Sequence, residues 1–218
     1  MIPLRDSTRS RSSPVVVYLI IAACVAAFFY TQGLGSDDNQ MAFSAAYGAI
    51  PRAITRGPWP DAWVGLVTSM FLHGSWLHLG GNMLYLWIFG DNVEDAMGHG
   101  RFVVFYLLTG VVAALVHVAT QPASTIPLIG ASGAIAGVLG AYLVLYPRAR
   151  VLTLVFFIWF FRLAELPAVL VLSLWFLLQL YQGVAALGAS GVATVAFWAH
   201  VGGFIAGAVL VPFFARRR

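Results

Sequence analysis

Two short sequences in this chain combine a reactive side chain with glycines inside long apolar stretches. They are GASG at residues 130–133, which contains Ser132, and AHVGG at residues 199–203, which contains His200. A hydroxyl and an imidazole are unfavourable in apolar surroundings unless they find hydrogen-bond partners. We therefore interpret Ser132 and His200 as a pair that acts together within a membrane.

The chemistry that this pair suggests is nucleophilic attack by a serine. A serine hydroxyl becomes nucleophilic when an adjacent base takes its proton, and His200 would be that base for Ser132. No Asp or Glu falls at a matching depth of the apolar stretches, so the sequence predicts a dyad rather than a triad. If Ser132 starts a helix, free backbone N–H groups beside it point to where an oxyanion forms.

Purely structural roles for these residues stay open at this point. Gly133 and Gly137 form a GxxxG pattern, so the serine also suits a helix-packing face of small residues. His200 precedes a second such pattern, Gly203 and Gly207, where a neutral imidazole bonded to a backbone carbonyl is the alternative. Two helices with glycine faces pack closely enough for side chains near their ends to meet, which favours the dyad.

A third group of polar residues follows the pattern HxxxxHxxxN and consists of His73, His78 and Asn82. His78 and Asn82 are four residues apart and share one face of a helix. An amide and an imidazole that point to one place suit an oxyanion hole. A metal site is the competing interpretation for the histidines, but no HExxH pattern and no carboxylate at ligand spacing accompany them.

The composition indicates a membrane protein. Hydrophobic residues make up 61% of the chain and charged residues only 9%, against about 25% in a typical soluble protein. The net charge of +4 comes from arginines that lie between and beyond the apolar stretches, which argues for membrane topology and against nucleic-acid binding.

The hydropathy pattern predicts an all-α, polytopic membrane protein with six spans. A span needs about 20 apolar residues, and six stretches qualify, at about 15–34, 77–95, 102–120, 128–146, 167–185 and 193–214. The apolar segment 151–166 is interrupted by Arg162 and Glu165, so we interpret it as an interfacial or partly re-entrant stretch. No internal repeat is evident.

The arginines also predict the orientation in the membrane. One side of a six-span topology holds only Arg52 and Arg56, whereas the other arginines, together with both termini, fall on the opposite side. We therefore expect a cytoplasmic tail at 1–13, a six-span membrane domain at 14–215 with its active-site core at about 60–214, and a basic cytoplasmic tail at 216–218. In this topology the second, fourth and sixth spans begin outside the cell, so His78, Asn82, Ser132 and His200 lie toward the outer surface.

The three motifs HGSWLHLGGN, GASGA and AHVGG, in this order on the second, fourth and sixth spans, resemble those of the bacterial-type rhomboid intramembrane serine proteases. The resemblance covers roughly residues 60–214. It implies a six-helix bundle with an outward-opening cavity, in which Ser132 attacks a peptide carbonyl and His200 acts first as general base and then as general acid. It also implies that His78 and Asn82 hold the oxyanion; we place Gly130 on this oxyanion and substrate-binding side.

The same resemblance implies the partners and the location. Substrates would be single-span transmembrane proteins within the lipid bilayer, no cofactor or metal is implied, and the location would be a bacterial inner membrane. Glu94 resembles the structural glutamate at the cytoplasmic end of the second span. One departure concerns Ala136, which stands where many relatives carry an aromatic residue that stacks on the catalytic histidine. Trp198 is one candidate to support the His200 ring instead.

Other function classes fit the sequence less well. A catalytically silent rhomboid-like protein that binds membrane partners is the main alternative, but such proteins usually lose the serine or the histidine. A transporter or channel is disfavoured because the chain lacks inverted halves and acidic residues in the middle of its spans. A lipid esterase would be expected to carry a GxSxG elbow, which is missing.

Overall fold

The computed structural model describes residues 1–57, 61–157, 160–187 and 195–216, which are mostly helical. The helices are α1 (Val15–Gly33), α2 (Asp37–Tyr47), α3 (Pro51–Arg56), α4 (Asp61–Thr68), α5 (Trp76–Met97), α6 (His99–Thr120), α7 (Ser132–Leu145), α8 (Ala168–Leu187) and α9 (Phe197–Phe214). A short 3-10 helix at Ser69–Phe71 leads from α4 toward α5. Residues 193–194 of the sixth predicted span and 217–218 of the predicted basic tail lie outside the described residues.

Four of these helices, α1, α6, α8 and α9, are long and apolar enough to cross a membrane by length and composition. Helix α5 is 22 residues long but carries three acidic residues near its C-terminal end. Helix α7 has only 14 residues, a length of about 21 Å against a hydrocarbon core of about 30 Å. The structure thus confirms a helical, polytopic membrane fold, and the count of six spans stays a prediction.

A small three-stranded sheet lies beside the helices and was not predicted. Its strands are β1 (Ile2–Asp6), β2 (Arg150–Phe157) and β3 (Phe160–Pro167), antiparallel in the order β1-β2-β3. The described residues of the segment 151–166, interpreted above as an interfacial or partly re-entrant stretch, therefore form two paired antiparallel strands, and residues 158–159 lie outside the described residues. Burial alternates along the start of β2, where Val151 and Thr153 are fully buried, and this period of two is typical of a strand that covers a core with one face.

Helix α7 lies at the centre of the bundle, and nearly all of its residues are buried. It packs side by side with α9, and the two glycine patterns form the contact. A Cβ added at Gly203 would collide with the carbonyl oxygen of Gly133, and one added at Gly207 would collide with that of Gly137. The glycines therefore let two parallel helix backbones approach closely, and the N-terminal ends of α7 and α9 meet as a result.

The start of α1 is held by a carboxylate from another helix. Glu94 of α5 is fully buried and accepts hydrogen bonds from the backbone N–H groups of Val16 and Val17 at 2.9 and 2.8 Å. Nδ1 of His99 lies 2.6 Å from the same carboxylate. Glu94 therefore satisfies two of the N–H groups that a helix start leaves without intrahelical partners, and its negative charge suits the positive end of the helix dipole.

We expect Glu94→Ala to lower the free energy of unfolding by about 3 kcal/mol, because the buried N–H groups of α1 lose a charged acceptor. Equilibrium unfolding of the purified protein in detergent measures this. Glu165→Ala is the matched control, since Glu165 is exposed on β3. Equal stability of the two variants would contradict the capping role of Glu94.

Candidate active site

Ser132 is the first residue of α7, and the loop that leads to it is fixed by backbone hydrogen bonds. Leu128 pairs with Ala49 in an isolated antiparallel bridge, and the N–H of Gly130 donates to the carbonyl oxygen of Ser69 at 2.9 Å. Gly130 has a φ of +125°, a conformation that side chains disfavour. This turn places Ser132 at the helix start, beside the unpaired N–H groups of the first turn.

The structure brings Ser132 and His200 into direct contact. Oγ of Ser132 lies 2.7 Å from Nε2 of His200, which is in the first turn of α9. This distance is a strong hydrogen bond between a hydroxyl and a ring nitrogen. The two side chains are therefore placed for proton transfer from the hydroxyl to the imidazole.

Two residues of α8 contact the His200 ring, and the sequence analysis missed both. Nδ1 of His200 lies 2.7 Å from Oε1 of Gln179, and the ring of Trp175 lies beside the imidazole with a centroid distance of 5.9 Å. Trp198, suggested above as a support for His200, instead donates from its indole N–H to the carbonyl oxygen of Gly183 at 3.1 Å. The aromatic ring beside His200 in the described structure is therefore that of Trp175 on α8.

One signal in the sequence would have pointed to Gln179. It is an amide in the middle of the apolar stretch that forms α8, and Trp175 stands one helical turn before it. Residues four apart share a face of a helix. A polar side chain inside a span is a candidate for a functional hydrogen bond.

His78 and Asn82 lie on the N-terminal half of α5, facing the same cavity as Ser132. The residue before α5, Ser75, caps the helix, and its Oγ accepts from the N–H of His78 at 3.1 Å. Asn82 is buried, and its Nδ2 donates to the carbonyl oxygen of His78 at 2.8 Å. An amide nitrogen has two N–H donors, so this bond leaves Asn82 a second one for a ligand.

Gly130 lets the loop backbone pass close to the His78 ring, and it does not supply a hydrogen-bond donor to the cavity. A Cβ at this position would lie 2.7 Å from Nε2 of His78, so only glycine lets the loop pass this ring. Its N–H is already engaged with Ser69, which excludes it as an oxyanion donor in this conformation.

The neighbouring His73 ring packs edge-on against that of His78. Burial, together with the nearby His78, lowers the pKa of His73 to about 4, so His73 is uncharged at neutral pH.

Ser132, His200, His78 and Asn82 line one cavity of about 740 Å³. Its polar lining includes residues from five helices, α5 to α9, and from the loop after α6, among them His78, Asn82, His117, Gln121, Ser132, Gln179 and His200. The rest is largely apolar, which suits an uncharged peptide segment. Within the described part of the chain no carboxylate lines the cavity, and no group of three or more His, Cys, Asp or Glu side chains is placed to hold a metal.

The fold and the site define an integral membrane protein with a serine–histidine pair in a cavity between helices. Residues 60–217 match the Rhomboid domain, so the chain belongs to the rhomboid family. It is 37% identical to rhomboid protease GluP of Bacillus subtilis over 131 residues, which cover 60% of this chain and 24% of that protein.

Two further relatives come from organelles. Rhomboid-like protein 11, chloroplastic, of Arabidopsis thaliana is 33% identical over 158 residues, covering 69% of this chain and 52% of the relative. Rhomboid protein 1, mitochondrial, of Saccharomyces cerevisiae is 35% identical over 97 residues, covering 43% of this chain and 28% of the relative. The chain thus spans between about a quarter and about half of the length of these three relatives.

Proposed function

We propose that this protein is an intramembrane serine endopeptidase that cleaves transmembrane proteins with Ser132 and His200. The observation that carries the proposal is the 2.7 Å contact between Oγ of Ser132 and Nε2 of His200 inside the cavity. Membership of the rhomboid family supports it, and so does similarity to a protein named as a rhomboid protease. A nucleophile in contact with its base is the arrangement that acyl transfer requires.

The reaction would run in two steps that restore the enzyme. Nε2 of His200 takes the hydroxyl proton while Oγ of Ser132 forms a bond to the scissile carbonyl carbon, which gives a tetrahedral oxyanion. The imidazolium then donates this proton to the leaving amine as the C–N bond breaks, leaving an acyl ester on Ser132. Water, deprotonated by His200, attacks the ester and releases the new carboxyl end, and the proton returns to Oγ.

The oxyanion would be held by donors that already face the cavity. The backbone N–H of Ser132 lies at the start of α7 and has no acceptor within its own helix. Asn82 offers its second amide hydrogen, and His78 offers a ring N–H. Such fixed donors stabilise charge that develops in the transition state, by about 3 kcal/mol for a full donor.

The substrates we propose are single-span membrane proteins, cut near the outer end of the span. We place the C-terminal end of α7 at the cytoplasmic surface of the membrane. The 14 residues of α7 then put Ser132 about 21 Å deep, within the hydrocarbon core of about 30 Å. A peptide bond in a helix must lose its backbone hydrogen bonds before it can enter the site, which favours spans with small or helix-weakening residues. From the arginine distribution, we place both termini in the cytoplasm of a bacterial cell and the cavity toward the outside.

Asn82→Ala is expected to lower kcat by about 10²-fold with little change in KM, because the lost donor acts on the transition state. Steady-state cleavage of a fluorogenic single-span substrate in liposomes measures both constants. Asn39→Ala is the matched control, since Asn39 lies on exposed helix α2. An unchanged kcat for folded Asn82→Ala would remove Asn82 from the oxyanion site.

The experiment that tests the proposed function is reconstitution of the purified protein in liposomes with a panel of single-span reporters. Mass spectrometry of the products identifies the bond that is cut. We expect cleavage at one position near the outer end of a reporter span, with no release of fatty acid from the phospholipids. Absence of cleavage across the panel, with reporters retained in complex by the protein, would instead support a catalytically silent binding protein.

A further inference from the structure

We propose that Gln179 is a positioning residue that fixes the tautomer and orientation of His200. The inference rests on the proposed function, because it assigns a role toward the base of the serine–histidine pair. Its basis is the 2.7 Å contact between Oε1 of Gln179 and Nδ1 of His200, on the opposite side of the ring from Ser132.

The donors and acceptors of Gln179 and His200 determine which ring nitrogen of His200 carries the proton. A carbonyl oxygen such as Oε1 only accepts hydrogen bonds, so the Nδ1 atom that faces it carries the proton. A neutral imidazole has a single N–H, and Nε2 is then the acceptor. Nε2 faces Oγ of Ser132 and is therefore the atom that must be free to take the hydroxyl proton. Gln179 thus selects the tautomer that can act as a base.

Contacts above and below Gln179 hold it opposite His200. One turn before it, Phe176 stacks on Phe204 of α9 with a centroid distance of 4.8 Å and an interplanar angle of 27°. One turn after it, the carbonyl oxygen of Gly183 accepts from the indole of Trp198. Contacts between α8 and α9 therefore lie on both sides of the Gln179–His200 pair. They fix the position of the Gln179 amide relative to the His200 ring.

An amide suits this position better than a carboxylate would. Serine proteases with a triad place an aspartate at Nδ1, which stabilises the imidazolium. A buried carboxylate in an apolar cavity carries a large desolvation penalty, and no carboxylate lines this cavity within the described residues. The titratable side chains that act electrostatically on His200 are His78 of α5 and His117 of α6. Gln179 orients the ring without adding a charge.

The test compares Gln179→Leu, Gln179→Glu and wild type, with Gln182→Leu as the matched control. Gln182 lies on the same helix but is exposed and does not line the cavity. The readout independent of proteolysis is the ¹⁵N chemical shift of the His200 ring nitrogens in histidine-labelled protein, assigned by comparison with His200→Ala. Wild type is expected to show a proton on Nδ1, and Gln179→Leu is expected to show a mixture of the two tautomers.

The activity readout separates positioning from general loss of structure. Gln179→Leu is expected to lower kcat by ~10–100-fold with KM unchanged, by analogy with the loss of groups that orient a functional histidine. Gln179→Glu keeps an acceptor, so it retains turnover at high pH. Its carboxylate stabilises the imidazolium, so the acidic limb of its pH–rate profile moves to higher pH by about 1 unit or more. Gln182→Leu is expected to match wild type throughout.

Two results would overturn the inference. The first is a His200 tautomer in Gln179→Leu that is the same as in wild type. The second is a kcat of folded Gln179→Leu equal to that of wild type. A wild-type protein that carries the proton on Nδ1 but cuts no reporter would count against the proposed protease function and not against this role of Gln179.

Discussion

Replacing Ser132 by alanine is expected to lower kcat/KM for a single-span substrate by at least ~10⁴-fold, in a protein that still folds. Loss of the nucleophile removes the covalent route, and what remains comes from binding and the oxyanion donors alone. The substitution removes one oxygen from a half-buried helix start, so the fold should tolerate it. Cleavage in liposomes and a thermal unfolding curve of the same preparation measure the two quantities.

Ser173→Ala is the matched control for this prediction. Ser173 lies half-buried on α8 and does not line the cavity, so its variant should cleave at the wild-type rate. Cleavage that persists in Ser132→Ala at more than a few per cent would mean that another residue is the nucleophile. The proposed mechanism would then be wrong, even though the family assignment would stand.

Replacing His200 by alanine is expected to have an effect of similar size. Among the described residues, His200 is the side chain that hydrogen-bonds Oγ of Ser132. Without the imidazole, general-base catalysis and protonation of the leaving amine are lost. We expect a loss of ~10⁴-fold or more in kcat. The matched control is His99→Ala, since His99 is the first residue of α6, is exposed and does not line the cavity.

The pH dependence of wild-type cleavage provides a second measurement of the same role. A protonated imidazole cannot take the serine proton, so kcat/KM should fall as the solution becomes acidic and His200 gains its second proton. The fall should be tenfold per pH unit once His200 is mostly protonated, as for a single titrating group. A rate that stays flat from neutral to strongly acidic pH would exclude His200 as the base.

The pairing of Ser132 with His200 was accessible from the sequence because two local features act together. Each residue stands at the start of an apolar stretch, and each is followed by glycines at a spacing of four. Glycines at this spacing bring helices close, and the structure shows the backbone contacts of Gly203 and Gly207 with α7. Similar depth along parallel helices then places the two side chains together.

The residues that contact the His200 ring could not be predicted from the sequence in the same way. Gln179 lies in a different span, and which face of α8 meets α9 depends on contacts such as Phe176 with Phe204 that no local pattern reveals. Trp198 was the nearer aromatic residue in sequence, but a neighbour two positions away on a helix points to another face. The sequence analysis therefore offered Trp198 as one candidate, whereas in the structure the ring of Trp175 lies beside His200.

The small sheet was missed because its formation depends on a pairing distant in sequence. Strand β1 pairs with β2, with Ile2 opposite Leu154, whereas the apolar run of β2 and β3 by itself resembles a membrane stretch. The pairing of β2 with β3 also explains why Arg162 and Glu165 interrupt that run, since both side chains are exposed on β3. Short apolar runs are ambiguous until their partners are known.

The measurement that tests the central claim most directly is covalent labelling of the protein with a serine-reactive fluorophosphonate, followed by mass spectrometry of its peptides. The claim is that His200 activates Ser132, and this reaction needs no knowledge of the natural substrate. We expect a single adduct on Ser132 in wild type and a labelling rate at least ~10²-fold lower in folded His200→Ala. An adduct on another serine, or equal labelling rates in the two proteins, would contradict the account.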